Sequence, residues 1–524
     1  MAEIPKDGRI ISSAAPSVDG GRRRFMANTG GIAGLGAVGI TPSLAALSNN
    51  PYCNLTATQA VSAMSAGDMK AESYAQALVD RCEALRHLNA FITLDKDRVL
   101  ESARKADQLR AAGRKLGPLH GLPIPVKDSI NTRGLATTSG TPALKKFVPK
   151  EDAPVVKALL DAGAIVLGKT NLHELSFGWT SNNLAFGAVH NPYDPTRNPG
   201  GSSGGTAVAV ATRMAPVGLG EDTCGSIRVP AALTGIAGYR PSKFRWSAEG
   251  VMPLTTIFDT VGPQARSVAD LALIDTVVAG DAARLTPPNL RGMRIGVIRD
   301  FYFSDVDSEV ARVTEAALGR LKDAGVEIIE GSLPELEALW QITAFPIIQH
   351  ETRATVTEYL DRFGTGVSWD ALVAAASEDI KRDFGLFVAD NGQFHAPREA
   401  YESARQIHRP ALQNAFRRYF RAAGVSAIVY PATMTAALPI GGEMDNAGQL
   451  EINGKKLPFY VALARNIAPA GTAGLPSLVL PAGLTREGLP VGLEFDAPVG
   501  RDKELLALGF ALEAALGAIE APNV

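Results

Sequence analysis

An α/β fold, with helices around one large mixed β-sheet, is what this sequence predicts, and three observations predict it. Short β-branched runs bounded by glycine or proline read as strands, segments with apolar residues three and four apart read as helices, and the two alternate along the chain. The third is size: 524 residues, 46% hydrophobic and 20% charged, suffice for a sizeable core in one large domain or two. The first helical patterns are TATQAVSAMSAG (56–67) and AESYAQALVDRCEALRHL (71–88). The strand candidates that follow are GLPIPV (121–126), AIVLGK (164–169), RIGVI (294–298), SAIVYPA (426–432), SLVLPAG (477–483) and VGLEF (491–495). From about Leu333 to Ala423 the pattern is mostly helical. It predicts a helical insertion over one face of the sheet, a position from which such segments shape substrate pockets.

Composition excludes several classes of function. The formal net charge is -2, with no block of lysine or arginine beyond the amino terminus, so nothing marks a nucleic-acid partner. Cys53, Cys82 and Cys224 form neither a disulfide framework nor a CxxC pair. HELSF at His173 and HETRA at His350 lack the second histidine of a zinc-binding HExxH, so no metal ligand set is visible.

Residues 1–45 read as a twin-arginine export signal, on Arg22, Arg23, Phe25 and Met26 followed by a glycine-rich apolar run and small residues near Ala45. A mature protein from about 46 to 524, exported to the periplasm or secreted, is expected. Gly34, Gly36 and Gly39 spell GxGxxG inside this segment, but no strand precedes them and no acidic residue lies about 20 positions beyond, so no dinucleotide cofactor is implied. No later apolar run has the roughly 18–20 residues needed to span a bilayer, so no stable membrane insertion is expected.

RNPGGSSGGTAVAVA (197–211) sets four glycines around Ser202 and Ser203, just before a helix-forming run. A flexible turn feeding a helix cap is the plainest reading. A phosphate loop would have lysine where Thr206 stands. Gly201, Ser203 and Gly205 also satisfy GxSxG, the elbow of an α/β-hydrolase-type esterase with Ser203 as nucleophile; His350, His395 and His408 lie downstream, but NPYDPTRNP before it is not a buried strand.

A second serine, Ser226, lies 24 residues past Ser202 in VGLGEDTCGSIRVPAALTGIAGYRPS (217–242), and HGLPIPVKDSI (120–130) holds Lys127 in an apolar run. By itself, a lysine at a strand end reaches solvent. Together the three segments resemble the amidase signature family. The resemblance covers nearly all of residues 50–515 and includes GAIVLGKTNLHELSFG (163–178) and GTAGLPSLVLPAGLTREGLPVGLEF (471–495).

That resemblance implies a Ser-cisSer-Lys triad: Ser226 as nucleophile, Ser202 as proton relay beside a cis peptide, and Lys127 as base. It implies an oxyanion hole from the backbone N–H groups of Thr223, Cys224, Gly225 and Ser226, and a pocket lined by Phe177, Trp179 and Thr180. The reaction implied is amide hydrolysis through an acyl-enzyme, with no cofactor, on small or aryl-substituted amides such as mandelamide or indoleacetamide. Lys127 works as a base only when neutral, so its pKa must fall below the ordinary value of about 10.4, which burial would favour. Two residues depart from the family's commonest pattern. Cys224 stands where glycine is frequent and Glu221 where threonine is, and a Cβ at 224 restricts φ and fills space beside the scissile carbonyl. A homodimer is a further expectation. An exported binding protein that kept the fold without turnover is the alternative from another class.

Overall fold

The computed structural model describes residues 50–282, 285–441 and 449–524. The twin-arginine segment and the GxGxxG pattern lie outside the described residues.

Thirteen strands occur among the described residues: β1 (Phe91–Thr93), β2 (Pro123–Lys127), β3 (Ile165–Thr170), β4 (Val217–Asp222), β5 (Ala237–Arg240), β6 (Thr260–Ala265), β7 (Arg294–Ile298), β8 (Glu327–Gly331), β9 (Ala427–Pro431), β10 (Gln449–Ile452), β11 (Lys455–Pro458), β12 (Ser477–Leu484) and β13 (Pro490–Asp496). Eleven form one mixed sheet in the order β1, β3, β2, β4, β6, β5, β12, β13, β9, β7, β8, and β10 and β11 form a separate hairpin. β2 runs parallel to both β3 and β4, and β7 parallel to β8 and β9. The remaining pairs in the sheet are antiparallel.

All six strand candidates of the sequence are strands. β2, β3, β4, β5, β6 and β9 are buried at every position, the signature of a sheet covered on both faces. Two of the strands that sequence patterning did not single out, β5 and β6, have composition against them. β5 and β6 carry glycine, and β6 carries Pro263, residues that demote a run when read alone. The packing around them overrides that local preference, because their neighbours β4 and β12 supply the pairing.

The first two helices form where periodicity puts them, at Ala57–Ala66 and Ala71–Ala84. Thr56 caps the former through the Gln59 N–H, and Gln59 returns a bond to the Thr56 N–H, which satisfies two donors that a helix start otherwise leaves open. The helix Gly204–Ala211 is buried along its whole length. At its start the backbone packs closely: a Cβ on Gly205 would collide with the Ala90 and Asn171 carbonyl oxygens. Between Leu333 and Ala423 the chain forms helices Leu336–Arg362, Trp369–Ala375, Glu378–Asp383, Arg398–Ser403 and Arg409–Ala423. Trp340, Ala344 and Ile347 on the first of these pack in one cluster with Cys224, which brings this segment against the second serine loop. No helix among the described residues is long and apolar enough to cross a membrane.

Candidate active site

Lys127 is the last residue of β2 and is fully buried, so the strand-end lysine does not reach solvent. Its Nζ lies 2.6 Å from Ser202 Oγ and 2.7 Å from Glu221 Oε1. Glu221 is the next-to-last residue of β4, so the two charges meet where neighbouring parallel strands end. Such carboxyl ends are where open α/β sheets present their sites. Burial pushes the Lys127 ammonium below its ordinary pKa, and the Glu221 carboxylate works in the opposite direction.

The Gly201–Ser202 peptide is cis. The Ser202 carbonyl accepts hydrogen bonds from the His173 N–H at 3.1 Å and from the Ser181 hydroxyl at 3.1 Å. Ser181 Oγ in turn accepts from the Gly204 N–H at 3.0 Å, tying the serine pair to the start of the buried helix. Burial pushes the His173 imidazole down to about 4, so it stays neutral here. The Ser203 hydroxyl donates to the Glu221 carbonyl at 3.1 Å, and among the described residues no histidine ring is hydrogen-bonded to it. The Ser203 N–H donates to the Ser226 carbonyl at 3.0 Å, and this bond brings the two serine loops together.

The loop from Thr223 to Ile227 is organised by Asp222. Its carboxylate accepts from the Gly225 N–H at 2.8 Å, the Ile227 N–H at 3.0 Å, Arg228 Nε at 3.0 Å, Arg228 Nη2 at 3.1 Å and Arg240 Nη1 at 2.8 Å. Burial alone would raise this carboxyl, but the guanidinium groups of Arg228 and Arg240 outweigh it and hold the group well below the usual carboxylate range. Gly225 has φ +121°, and a Cβ there would come within 2.5 Å of Ile467 Cγ2. Of the four expected oxyanion donors, the Gly225 N–H is therefore already engaged by Asp222. Among the described residues the N–H groups of Thr223, Cys224 and Ser226 have no protein acceptor, nor does the Ser226 hydroxyl have a protein partner. Sequence reading gave Asp222, Ser181 and His173 no role, although Asp222 and Arg228 stand within the same GEDTCGSIR run as Ser226.

The three expected pocket residues have different surroundings. Trp179 donates from Nε1 to the Cys224 carbonyl at 3.0 Å, with Tyr460 beyond it at a ring distance of 6.4 Å. Thr180 contacts His173 Nδ1 at 3.2 Å. Phe177 instead packs edge-on against Phe384, 4.9 Å between ring centres, in a cluster with Leu144, Phe147 and Tyr359 that does not include the serine loops. Cys224 packs among Phe258, Trp340 and Ile347, and burial pushes its thiol up to about 12, so a thiolate at this position is disfavoured.

Removing the charge of Asp222 would leave Arg240 without its buried countercharge and Arg228 with Glu494 alone. We expect Asp222→Asn to lose about 3–5 kcal/mol of stability at neutral pH, read from denaturant melts. Folding lowers this carboxyl below its unfolded value of about 3.9, so its contribution is complete above that pH and falls away as pH drops towards the folded value. The gap between wild type and variant should accordingly narrow below about pH 4.

Comparison with known proteins bears on the family of the whole chain. The family described as Amidase matches residues 74–506. An indoleacetamide hydrolase of Agrobacterium vitis is 39% identical over 450 residues, covering 86% of this chain and 94% of that protein. A mandelamide hydrolase of Pseudomonas putida is 37% identical over 476 residues, covering 88% of this chain and 92% of that protein. The X-ray structure of native peptide amidase from Stenotrophomonas maltophilia superposes with a TM-score of 0.75 at 31% identity, over 90% of this chain and 99% of that one. On the family match and these relatives, the chain belongs to the amidase signature family and is an amide-hydrolysing enzyme.

Proposed function

We propose that this amidase cleaves small aryl-substituted amides to the acid plus ammonia or an amine, with Ser226 as nucleophile, Ser202 as relay and Lys127 as base. The observation that carries the reading is the contact of 2.6 Å between Lys127 Nζ and Ser202 Oγ in a site closed to solvent. A neutral lysine there accepts the Ser202 proton as Ser202 takes the Ser226 proton, and Ser226 Oγ bonds to the amide carbon. The carbonyl oxygen becomes an oxyanion facing N–H groups of the Thr223–Ser226 loop. Collapse returns the proton through Ser202 to the leaving nitrogen and leaves an acyl-serine. Water then attacks by the reverse route and releases the carboxylic acid. Ser203 is a poor alternative nucleophile because its hydroxyl is turned to the Glu221 carbonyl.

The aryl preference rests on the aromatic side chains beside this loop. Trp179 bonds the Cys224 carbonyl, and Tyr460, Phe345 and Trp340 continue from it at ring distances of 6.4, 6.3 and 5.9 Å. The relatives named as indoleacetamide and mandelamide hydrolases point the same way. We also propose export through the twin-arginine segment, on the strength of Arg22 and Arg23, and a homodimer.

Intact-mass analysis after fluorophosphonate treatment tests the triad. Wild type should gain one adduct and Ser226→Ala none; kcat/KM should fall by about 10³-fold or more in Ser226→Ala and Lys127→Ala, and by less than about tenfold in Ser203→Ala. An adduct that survives in Ser226→Ala and maps to Ser203, with Lys127→Ala fully active, would overturn the assignment. Indole-3-acetamide should exceed acetamide in kcat/KM by roughly 100-fold, since the added ring is buried on binding. Replacing Arg22 and Arg23 by lysine should leave the protein in the cytoplasmic fraction, and unchanged export would exclude this signal.

A further inference from the structure

We infer that Glu221 is a positioning residue that fixes Lys127 against Ser202 and sets the pH at which the lysine becomes a base. The inference rests on the triad proposed above and adds a residue to it. Lys127 Nζ has two close polar neighbours, the Ser202 hydroxyl at 2.6 Å and the Glu221 carboxylate at 2.7 Å, and the side chains of this ion pair are 0% and 3% exposed. A threonine at 221 would offer a hydroxyl of shorter reach and no charge. Here the ammonium has the Glu221 carboxylate at 2.7 Å as its ion-pair partner instead.

The other ionisable groups around the pair are Asp222, Asp259 and His173. Asp222 and Asp259 act on Lys127 in the same sense as Glu221, towards the ammonium form. Asp222 is neutralised by Arg228 and Arg240. Asp259 accepts hydrogen bonds from the Thr223 hydroxyl and the Leu254 and Thr255 N–H groups. Burial and the Glu221 charge push it up to about 6. His173 is held neutral by burial. Glu221 is thus the carboxylate in direct contact with the lysine.

The proton balance explains what this contact does. When Ser226 attacks, its proton passes to Ser202, the Ser202 proton passes to Lys127, and the resulting ammonium faces the Glu221 carboxylate while the oxyanion exists. Glu221 neither gains nor loses a proton. It stabilises the charge that appears on Lys127 during acylation, and in the resting enzyme it opposes deprotonation of the same group. Both effects must change together if the carboxylate is neutralised.

The test is the pH dependence of the fluorophosphonate labelling rate of Ser226 in the full-length protein, which needs no knowledge of the natural substrate. In Glu221→Gln the acid limb should move to lower pH by roughly one unit or more, and the plateau rate should fall about tenfold or more. Glu221→Thr should move the limb in the same direction, whereas Glu221→Asp, which keeps the charge at longer range, should fall between wild type and Gln and serves if Gln does not fold. Asp259→Asn separates the two carboxylates: the limb should persist in it and still move when Glu221→Gln is added. An unmoved or upward-shifted limb in Glu221→Gln, or a limb lost with Asp259 alone, overturns the role of Glu221. Lys127→Ala reports on the underlying triad independently, since labelling at the wild-type rate in that variant would remove the base itself, whatever Glu221 does.

Discussion

Everything at the site depends on one buried carboxylate, that of Asp222. A loop that turns sharply between the end of β4 and the helix Arg228–Leu233 has several backbone donors and no regular partner for them. Asp222 takes two, the N–H groups of Gly225 and Ile227, and draws in the guanidinium groups of Arg228 and Arg240. Arg228 reaches on to the Ile467 carbonyl at 2.8 Å and to Glu494 of β13. Arg240 reaches the Phe258 carbonyl at 2.7 Å. Ser226 is thereby fixed from both sides of the loop, and the donors left open are those of Thr223, Cys224 and Ser226. A preorganised group of donors is what an oxyanion requires, because water in their place would have to reorient during the reaction.

The charges buried here would each be costly alone, and they are arranged in compensated pairs. Lys127 with Glu221 sits beside Asp222 with its two arginines, and one element away Lys169 lies 3.2 Å from Asp128 while donating to the Ile130 carbonyl and the Thr137 hydroxyl. Desolvation makes every such group expensive unless partnered. Of these pairs, that of Lys127 also contacts the hydroxyl of Ser202, the proposed relay, which separates it from Lys169 and Asp128. The same low-polarity surroundings that make these ions costly strengthen each contact between them.

The helical segment beyond Leu333 has a different part. Its first helix brings Trp340, Ala344 and Ile347 onto Cys224, so the thiol side chain on the serine loop is packing material for this helical segment. That gives the Cys224 side chain a structural role at this position. A group pushed up to about 12 and surrounded by apolar side chains contributes shape here and no nucleophile.

The sequence alone determined the fold class, six of the strands and the first two helices. These rest on local patterns, β-branched runs and helical spacing, that survive packing because each run is buried on the faces its pattern anticipates. It also placed Lys127, Ser202 and Ser226 in family order, from motif spacing. What only the tertiary structure decided is who touches whom. Glycine and proline hid β5 and β6, whose pairing comes from β4 nearby and from β12 far along the chain. Glu221 was visible as an odd residue, yet its contact with Lys127 spans 94 positions and exists because β2 and β4 run side by side. Asp222 captured the Gly225 N–H that family position had assigned to the oxyanion, and Phe177 turned into a cluster apart from the serine loops. Spacing along a chain specifies which groups are present; their distances and competing partners follow from the packing of strands distant in sequence.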